Sequence, residues 1–308
     1  MSLLKQQIAE LLSSVPFLKP VFESTPFDSS NLNYGDLSFR YLSDGITNEN
    51  YWISLNNKQY VLRLNTPDSA RLGLNRQLET LIMKKVSELK LIPKILFQND
   101  YPSFRLSKWI TGTAWTKDSF KQRINLNRLA ETLKQLHALP HLEFPTIDLL
   151  ARLEHYRSMI QQRHGQLPDI EKQLLSKTIK SYSNLRNSMT PCLCHNDLSA
   201  ANILELQPNN HSQLCFLDWE YAAVNEPLFE LAVICIINEL SDADKNYLLQ
   251  AYMGSNQAQN VSLTFDYWCW FYKYISLLWG LVILPKNQSL PQNINQQFES
   301  LMDQIPSN

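Results

Sequence analysis

Apolar positions recur along this chain with two different periods. In residues 1–13, MSLLKQQIAELLS, a helical spacing puts Leu4, Ile8 and Leu11/Leu12 on one face. From about residue 35 the spacing shortens to alternation. LSFRYLS, NYWISLN and QYVLRLN read as strands, and Asn56-Asn57 between the last two reads as a hairpin turn. Residues 74–89 return to the helical period, with Leu78, Leu81, Ile82, Val86 and Leu89 as their stripe. KILFQND and FRLSKWI read as two further strands joined by a turn at Asp100–Pro102.

Beyond about residue 112 the helical period dominates. Leu129, Leu133, Leu136 and His137 line one side of 125–139, and two more amphipathic segments follow at 147–164 and 170–189. NILEL and QLCFLD then form a short hairpin around QPNNHS, and helix resumes from about Leu228. Five strands with one helix, then a helical region carrying one hairpin, predict an α+β chain. Its organisation is a small antiparallel-sheet lobe over 1–107 and a larger, mainly helical lobe over 108–308, with a cleft between them.

Composition narrows the function classes. A formal net charge of −1 and a pI of about 6.6 give no basic excess, which argues against nucleic acid as the partner. The N-terminus lacks the pattern of a signal peptide. The longest apolar run, FDYWCWFYKYISLLWGLVIL at 265–284, carries Asp266 and Lys273, so an aromatic core helix is expected there rather than a membrane span. With seven glycines, the chain contains neither G-x-G-x-x-G nor G-x-x-x-x-G-K. Five cysteines without a C-x-x-C pair predict buried thiols in a reducing, cytoplasmic setting. Cys192, Cys194 and His195 resemble metal ligands in type, but no second cluster completes a site.

The chemistry concentrates in CHNDLSAANIL (194–204) and CFLDWEY (215–221). Phosphoryl transfer needs an acceptor for the nucleophile's proton, oxygen ligands for Mg²⁺ and cations on the phosphates. Asp197 supplies the first, Asn202 offers an amide oxygen to the metal, and Asp218 returns from the far end of the hairpin as a second metal ligand. His195 is expected to brace the loop. Arg63, at the end of a strand, has the forked guanidinium that binds phosphate oxygens bidentately. No A-P-E follows Asp218 and DWE stands where protein kinases carry D-F-G, which argues against a protein kinase.

These two stretches resemble the choline/ethanolamine kinases, the bacterial thiamine kinases and the aminoglycoside phosphotransferases, which share a protein-kinase-like fold. The resemblance implies an ATP- and Mg²⁺-dependent small-molecule kinase. LSDGITNENYWI (42–53) looks like the family's phosphate loop, with Asp44-Gly45 where Gly-Gly is usual, and implies nucleotide contacts from Gly45, Thr47 and Asn48. YVLRLN gives Arg63 the phosphate-binding role, NRQLE gives Glu79 as its ion-pair partner, and FRLSKWITGTAW (104–115) is the hinge that meets adenine. LKQLHALP matches a helix-end signature of the same kinases, and EPLFELAVI carries Glu230 where the family usually has an aspartate.

For the acceptor, Trp268, Tyr272, Ile275 and Trp279 share one helical face. Trp279 matches the first of two tryptophans of the choline kinases' quaternary-ammonium cage, and Val282 stands in place of the second. Glu220 and Tyr221 supply acidic and aromatic walls. The implied acceptor is choline or ethanolamine, with thiamine and then an aminoglycoside as alternatives; a nucleotide-binding pseudokinase scaffold is the non-enzymatic one.

Overall fold

The computed structural model describes residues 2–19, 37–44, 47–66, 72–99, 103–185, 189–206 and 213–306. The expected turns at 100–102 and 207–212 lie outside them, as does Gly45. The chain divides into two compact units, one of residues 1–69 and 93–111, the other of 70–92 and 112–308.

The first unit holds an antiparallel five-stranded sheet of β1 (Ser38–Asp44), β2 (Asn48–Leu55), β3 (Lys58–Asn65), β4 (Ile95–Gln98) and β5 (Phe104–Lys108), in the order β1-β2-β3-β5-β4. The β2–β3 turn forms at Asn56 and Asn57, whose φ of 49° and 60° are the pair of left-handed conformations that a two-residue hairpin needs. Helix α1 (Ser2–Ser13) buries Ile8, Ala9 and Leu12 in one cluster with Tyr51, Ile53, Leu55, Leu62, Phe104 and Leu106 of the sheet. The helical stripe and the alternation of the strands thus meet in one small core.

The second unit begins with α2 (Arg76–Val86), started by the Asn75 side chain accepting from the Leu78 amide at 3.0 Å. Its inward face keeps Ile82 and Val86 of the expected stripe, while Leu78 and Leu89 are half-buried. Leu81 is 57% exposed, whereas Arg76 and Glu79 are buried with Ile82, Met83 and Val86. From that inward face Arg76 makes an ion pair to a distant carboxylate, described below. The helix belongs with this unit, as does Leu91, whose carbonyl accepts from the Phe216 amide.

The rest comprises β6 (Thr113–Ala114), α3 (Arg123–His137), α4 (Leu149–His164), α5 (Asp169–Leu185), β7 (Cys192–Cys194), β8 (Ile203–Leu206), β9 (Gln213–Phe216), β10 (Ala223–Asn225), α6 (Pro227–Ile237), α7 (Asp242–Met253), α8 (Ser255–Asn260), α9 (Ser262–Val282) and α10 (Ile294–Asp303). Helix α6 is apolar on every side except for Glu230, and residues 227–235 of it are buried; α9 packs on it and on α4. Aromatic side chains fill that junction: Trp268 and Phe271 of α9 meet Phe229 of α6 and Tyr182 of α5. Glu171 of α5 is fully buried and accepts a bidentate pair from Arg157 at 2.7 and 3.0 Å and a hydrogen bond from Tyr274, so one carboxylate ties α4, α5 and α9. Gly112 approaches β8 so closely that a Cβ there would lie 2.9 Å from Leu206 and 3.0 Å from the Glu205 carbonyl. Among the described residues, no helix is long and apolar enough to cross a membrane.

Candidate active site

Asp197 and Asn202 lie on the loop from β7 to β8, and Asp218 and Glu220 on the loop from β9 to β10. β7 pairs antiparallel with β10, Cys194 opposite Ala223, and β8 with β9, Ile203 opposite Phe216. The two loops therefore leave paired strands side by side at both of their ends. The Leu217 amide stitches them, donating to the Asn202 carbonyl at 2.8 Å. The strand expected through QLCFLD stops at Phe216, because the chain bends at Asp218 into a left-handed conformation, φ 57°. Asn196 takes the same conformation, φ 64°. Asp and Asn tolerate it better than other residues with a Cβ.

Four side chains fix the first loop. His195 is fully buried; its Nδ1 accepts from the Asp197 amide at 3.3 Å and its Nε2 donates to the Leu217 carbonyl at 2.8 Å. Those partners require the neutral ring, in keeping with burial, which holds its pKa below the usual value. Trp219 packs on it with ring centroids 4.5 Å apart. Asn196 donates to the Tyr221 carbonyl at 3.0 Å and accepts from Asn225 at 2.9 Å, which ties the two loops again. Glu230 Oε1 accepts the amides of His195 and Asn196 at 2.6 and 3.0 Å. Asn238, at the end of α6, donates to the Leu198 carbonyl at 2.9 Å and accepts from the Ala200 amide at 2.7 Å.

Behind Glu230 stands His137, whose Nε2 donates to Glu230 Oε2 at 2.5 Å while Nδ1 meets the Tyr252 hydroxyl at 2.7 Å. Burial would lower the His137 pKa, but hydrogen bonds to Cys192 and Glu230 and the Glu230 charge raise it to about 9. Glu230 is correspondingly held below its ordinary value: burial works against ionisation and the pairing with His137 outweighs it. The loop that carries Asp197 thus rests on a buried ion pair.

Asn202 Nδ2 donates to the Asp197 carbonyl at 2.8 Å and reaches Asp197 Oδ2 at 3.3 Å. Burial, then the charges of Asp218 and Glu220, push the Asp197 carboxyl well above its usual range, against the Asn202 hydrogen bond. Carboxylates that repel one another beside an amide oxygen form a hard-oxygen donor set, and a small divalent cation fits it by charge and by ligand type. Glu220 is not simply an acidic wall. Arg76 Nη1 donates to Glu220 Oε2 at 2.9 Å and to Glu79 Oε2 at 3.0 Å. Arg76 therefore shares its charge between the two, and Glu79 is engaged within its own helix.

Tyr221, Tyr272 and Trp279 gather near Asp197. Trp279 Nε1 donates to the Tyr221 hydroxyl at 2.9 Å. Burial raises the pKa of both tyrosines, and the charge of Asp197 adds to it in each. Tyr156, which the sequence reading did not single out, faces Tyr221 and the Glu220 charge, and Arg152 sits over the Tyr221 ring at 5.7 Å. Trp268 has a different place: it is fully buried among Tyr182, Phe229 and Phe271 in the core. Sharing a helical face with Trp279 did not give it the same surroundings, because α6 covers that part of α9.

In the first unit, Arg63 on β3 stands opposite Asn50 of β2 and donates from Nε to Asn65 at 3.1 Å. Thr47 and Asn48 occupy the same end of that strand pair, Asn48 opposite Asn65, and both are buried. Three of the expected nucleotide-contacting residues are thereby brought together. The side chain of Asp44 and all of Gly45 lie outside the described residues.

Residues 39–242 match the family model described as choline/ethanolamine kinase. Protein LicA of Haemophilus influenzae is 25% identical over 216 residues, a match covering 68% of this chain and 60% of that protein, so less than two thirds of the relative's length is spanned. Choline kinase LicA from Streptococcus pneumoniae superposes with a TM-score of 0.71 at 20% identity, over 88% of this chain and 94% of that one. Plasmodium vivax ethanolamine kinase superposes at 0.67 and 20% identity, over 90% and 84%. At such identities the likeness is one of fold, and it is the protein-kinase-like fold with its antiparallel-sheet and helical parts. The family model spans well over half of the chain, and the chain belongs to the choline/ethanolamine kinase family.

Proposed function

We propose that the chain is an ATP-dependent O-phosphotransferase acting on the hydroxyl of a small cationic alcohol, choline or ethanolamine in the first place. The observation that carries this reading is the pair of adjoining loops on which Asp197, Asn202 and Asp218 meet, with Tyr221, Tyr272 and Trp279 beside Asp197. Asp197 orients the acceptor hydroxyl and takes its proton. Asn202 and Asp218 would hold Mg²⁺, which when bound neutralises charge on the phosphates being transferred. Arg63, with Gly45, Thr47 and Asn48, binds phosphate oxygens from the sheet. The tyrosine and tryptophan faces receive a cationic head group through their ring electrons, and the charge of Glu220, moderated by Arg76, favours it further. Five free, buried thiols agree with a reducing, cytoplasmic setting.

The test is a panel of choline, ethanolamine, thiamine and an aminoglycoside, each incubated with the protein and MgATP and read by mass spectrometry of the product. Phosphocholine or phosphoethanolamine is expected. Product from thiamine or the aminoglycoside alone would reassign the acceptor, and ATP binding without any phosphorylated product would leave a nucleotide-binding scaffold. In the same assay Trp279→Ala is expected to raise the acceptor KM about tenfold with kcat little changed, since a cation over an indole gains roughly 1–2 kcal/mol. A fall in kcat at constant KM would remove Trp279 from the acceptor wall.

A further inference from the structure

The sequence offered Cys192 and Cys194 beside His195 and no way to complete a ligand set. The fold turns His195 away from them, toward Leu217, and brings in a different histidine. β7 is a strand, so Cys192 and Cys194 point to the same face two residues apart, and that face meets the C-terminal end of α3 with His137. Cys192 Sγ and Cys194 Sγ are 3.6 Å apart, Cys194 Sγ and His137 Nε2 3.9 Å, and the three ligand atoms all lie within 4.8 Å of one another. Two thiolates on one tetrahedral zinc, at Zn–S distances of about 2.3 Å, stand roughly 3.8 Å apart. The side chains are thus spaced as ligands of a single ion before any ion arrives.

We propose that His137, Cys192 and Cys194 form a binding site for a thiophilic cation of the Zn²⁺ type, directly behind the loop that carries Asp197. Soft sulfur with imidazole selects such an ion over Mg²⁺, for which the hard oxygens of Asn202 and Asp218 are the proposed ligands. An entry path exists: a surface cavity of about 500 Å³ is lined by His137 and Cys192 together with Met189, Thr190, Tyr252 and Met253. On binding, Cys192 and Cys194 become thiolates and His137 gives up its Nε2 proton, so protons are released to solvent and no electron is transferred. The Nε2 bond to Glu230 is exchanged for the metal. Glu230 Oε2, 2.5 Å from that nitrogen before the ion enters, offers an oxygen for a fourth position, while Oε1 still holds the amides of His195 and Asn196. Occupancy of the site is therefore communicated to the loop through one carboxylate.

The experiment uses the full chain, reduced and stripped of metal, in excess Mg²⁺. Zn²⁺ titrated by calorimetry is expected to bind at one equivalent with release of protons, and Co²⁺ used as a probe to give thiolate-to-metal charge-transfer absorption with the intense visible bands of a tetrahedral ion. Cys192→Ser and Cys194→Ser should each weaken binding by at least about 100-fold and abolish that absorption. His137→Gln removes the third ligand but also the partner of Glu230, so the two serine variants, which leave that pair intact, decide the matter. Cobalt bound without thiolate absorption, or zinc binding unchanged in both serine variants, would overturn the site and assign the ion to the carboxylates around Asp218.

Discussion

Asp197→Ala is expected to lower kcat for acceptor phosphorylation by on the order of 10³-fold while ATP affinity stays near that of the unchanged protein. Under the proposed function the substitution removes the carboxylate that takes the hydroxyl proton and little else that holds the loop. The Asn202 side chain still donates to the backbone carbonyl of residue 197, and His195, Asn196 and Asn238 keep their contacts to the flanking chain. Relieving repulsion with Asp218 and Glu220 works in favour of the folded state. The variant should fold, bind nucleotide by equilibrium titration, and fail in turnover. Asp197→Asn, which retains the shape and loses the base, should fail equally. Turnover above about a tenth of the original in either variant would place the base elsewhere.

Glu230→Ala is expected to cost about 3–5 kcal/mol of stability, measured by urea unfolding, and to depress kcat as well. Glu230 is completely buried and carries three bonds at once: to His137 and to the amides of His195 and Asn196. Truncation leaves an imidazolium without its counter-charge and two buried amides without acceptors, each a separate penalty. The amides belong to the loop that carries Asp197, so the loss is felt as misplacement of that carboxylate. Glu230→Gln separates the two contributions, since it keeps an acceptor oxygen for the amides but withdraws the charge opposite His137. A Glu230→Ala protein as stable and as active as the original would show that the loop stands without it.

Much of this arrangement was legible in the chain itself. The alternation over 37–65 and the Asn56-Asn57 turn specify a hairpin because each strand buries one face against α1 and the turn residues accept positive φ. The polar residues of CHNDLSAANIL and CFLDWEY mark the candidate site because an apolar context makes each of them costly unless it is used. Other features left no such trace. β7 and β10 are three residues each, too short for alternation to show, yet their pairing is what sets the two loops side by side. Helix α2 buries Ile82 and Val86 of its apolar stripe but also Arg76 and Glu79, while Leu81 is exposed, and periodicity gives no sign of the two charges facing inward.

Periodic burial, turn chemistry and the residues of the phosphotransfer motif are local quantities, and the sequence by itself determined them. It therefore determined the α+β class, the sheet hairpins, the mostly apolar α6, the aromatic-rich α9, and the family. Only the tertiary structure decided which polar residues meet. Arg76 finds Glu220 across 144 positions and His137 finds Glu230 across 93. Trp268 goes to the core while Trp279 meets Tyr221, and the partner of Cys192 and Cys194 is His137 rather than the adjacent His195. Such pairings involve single side chains on elements remote in the chain. They have no period to betray them, and they exist because a buried charge or donor must find its partner wherever packing brings one.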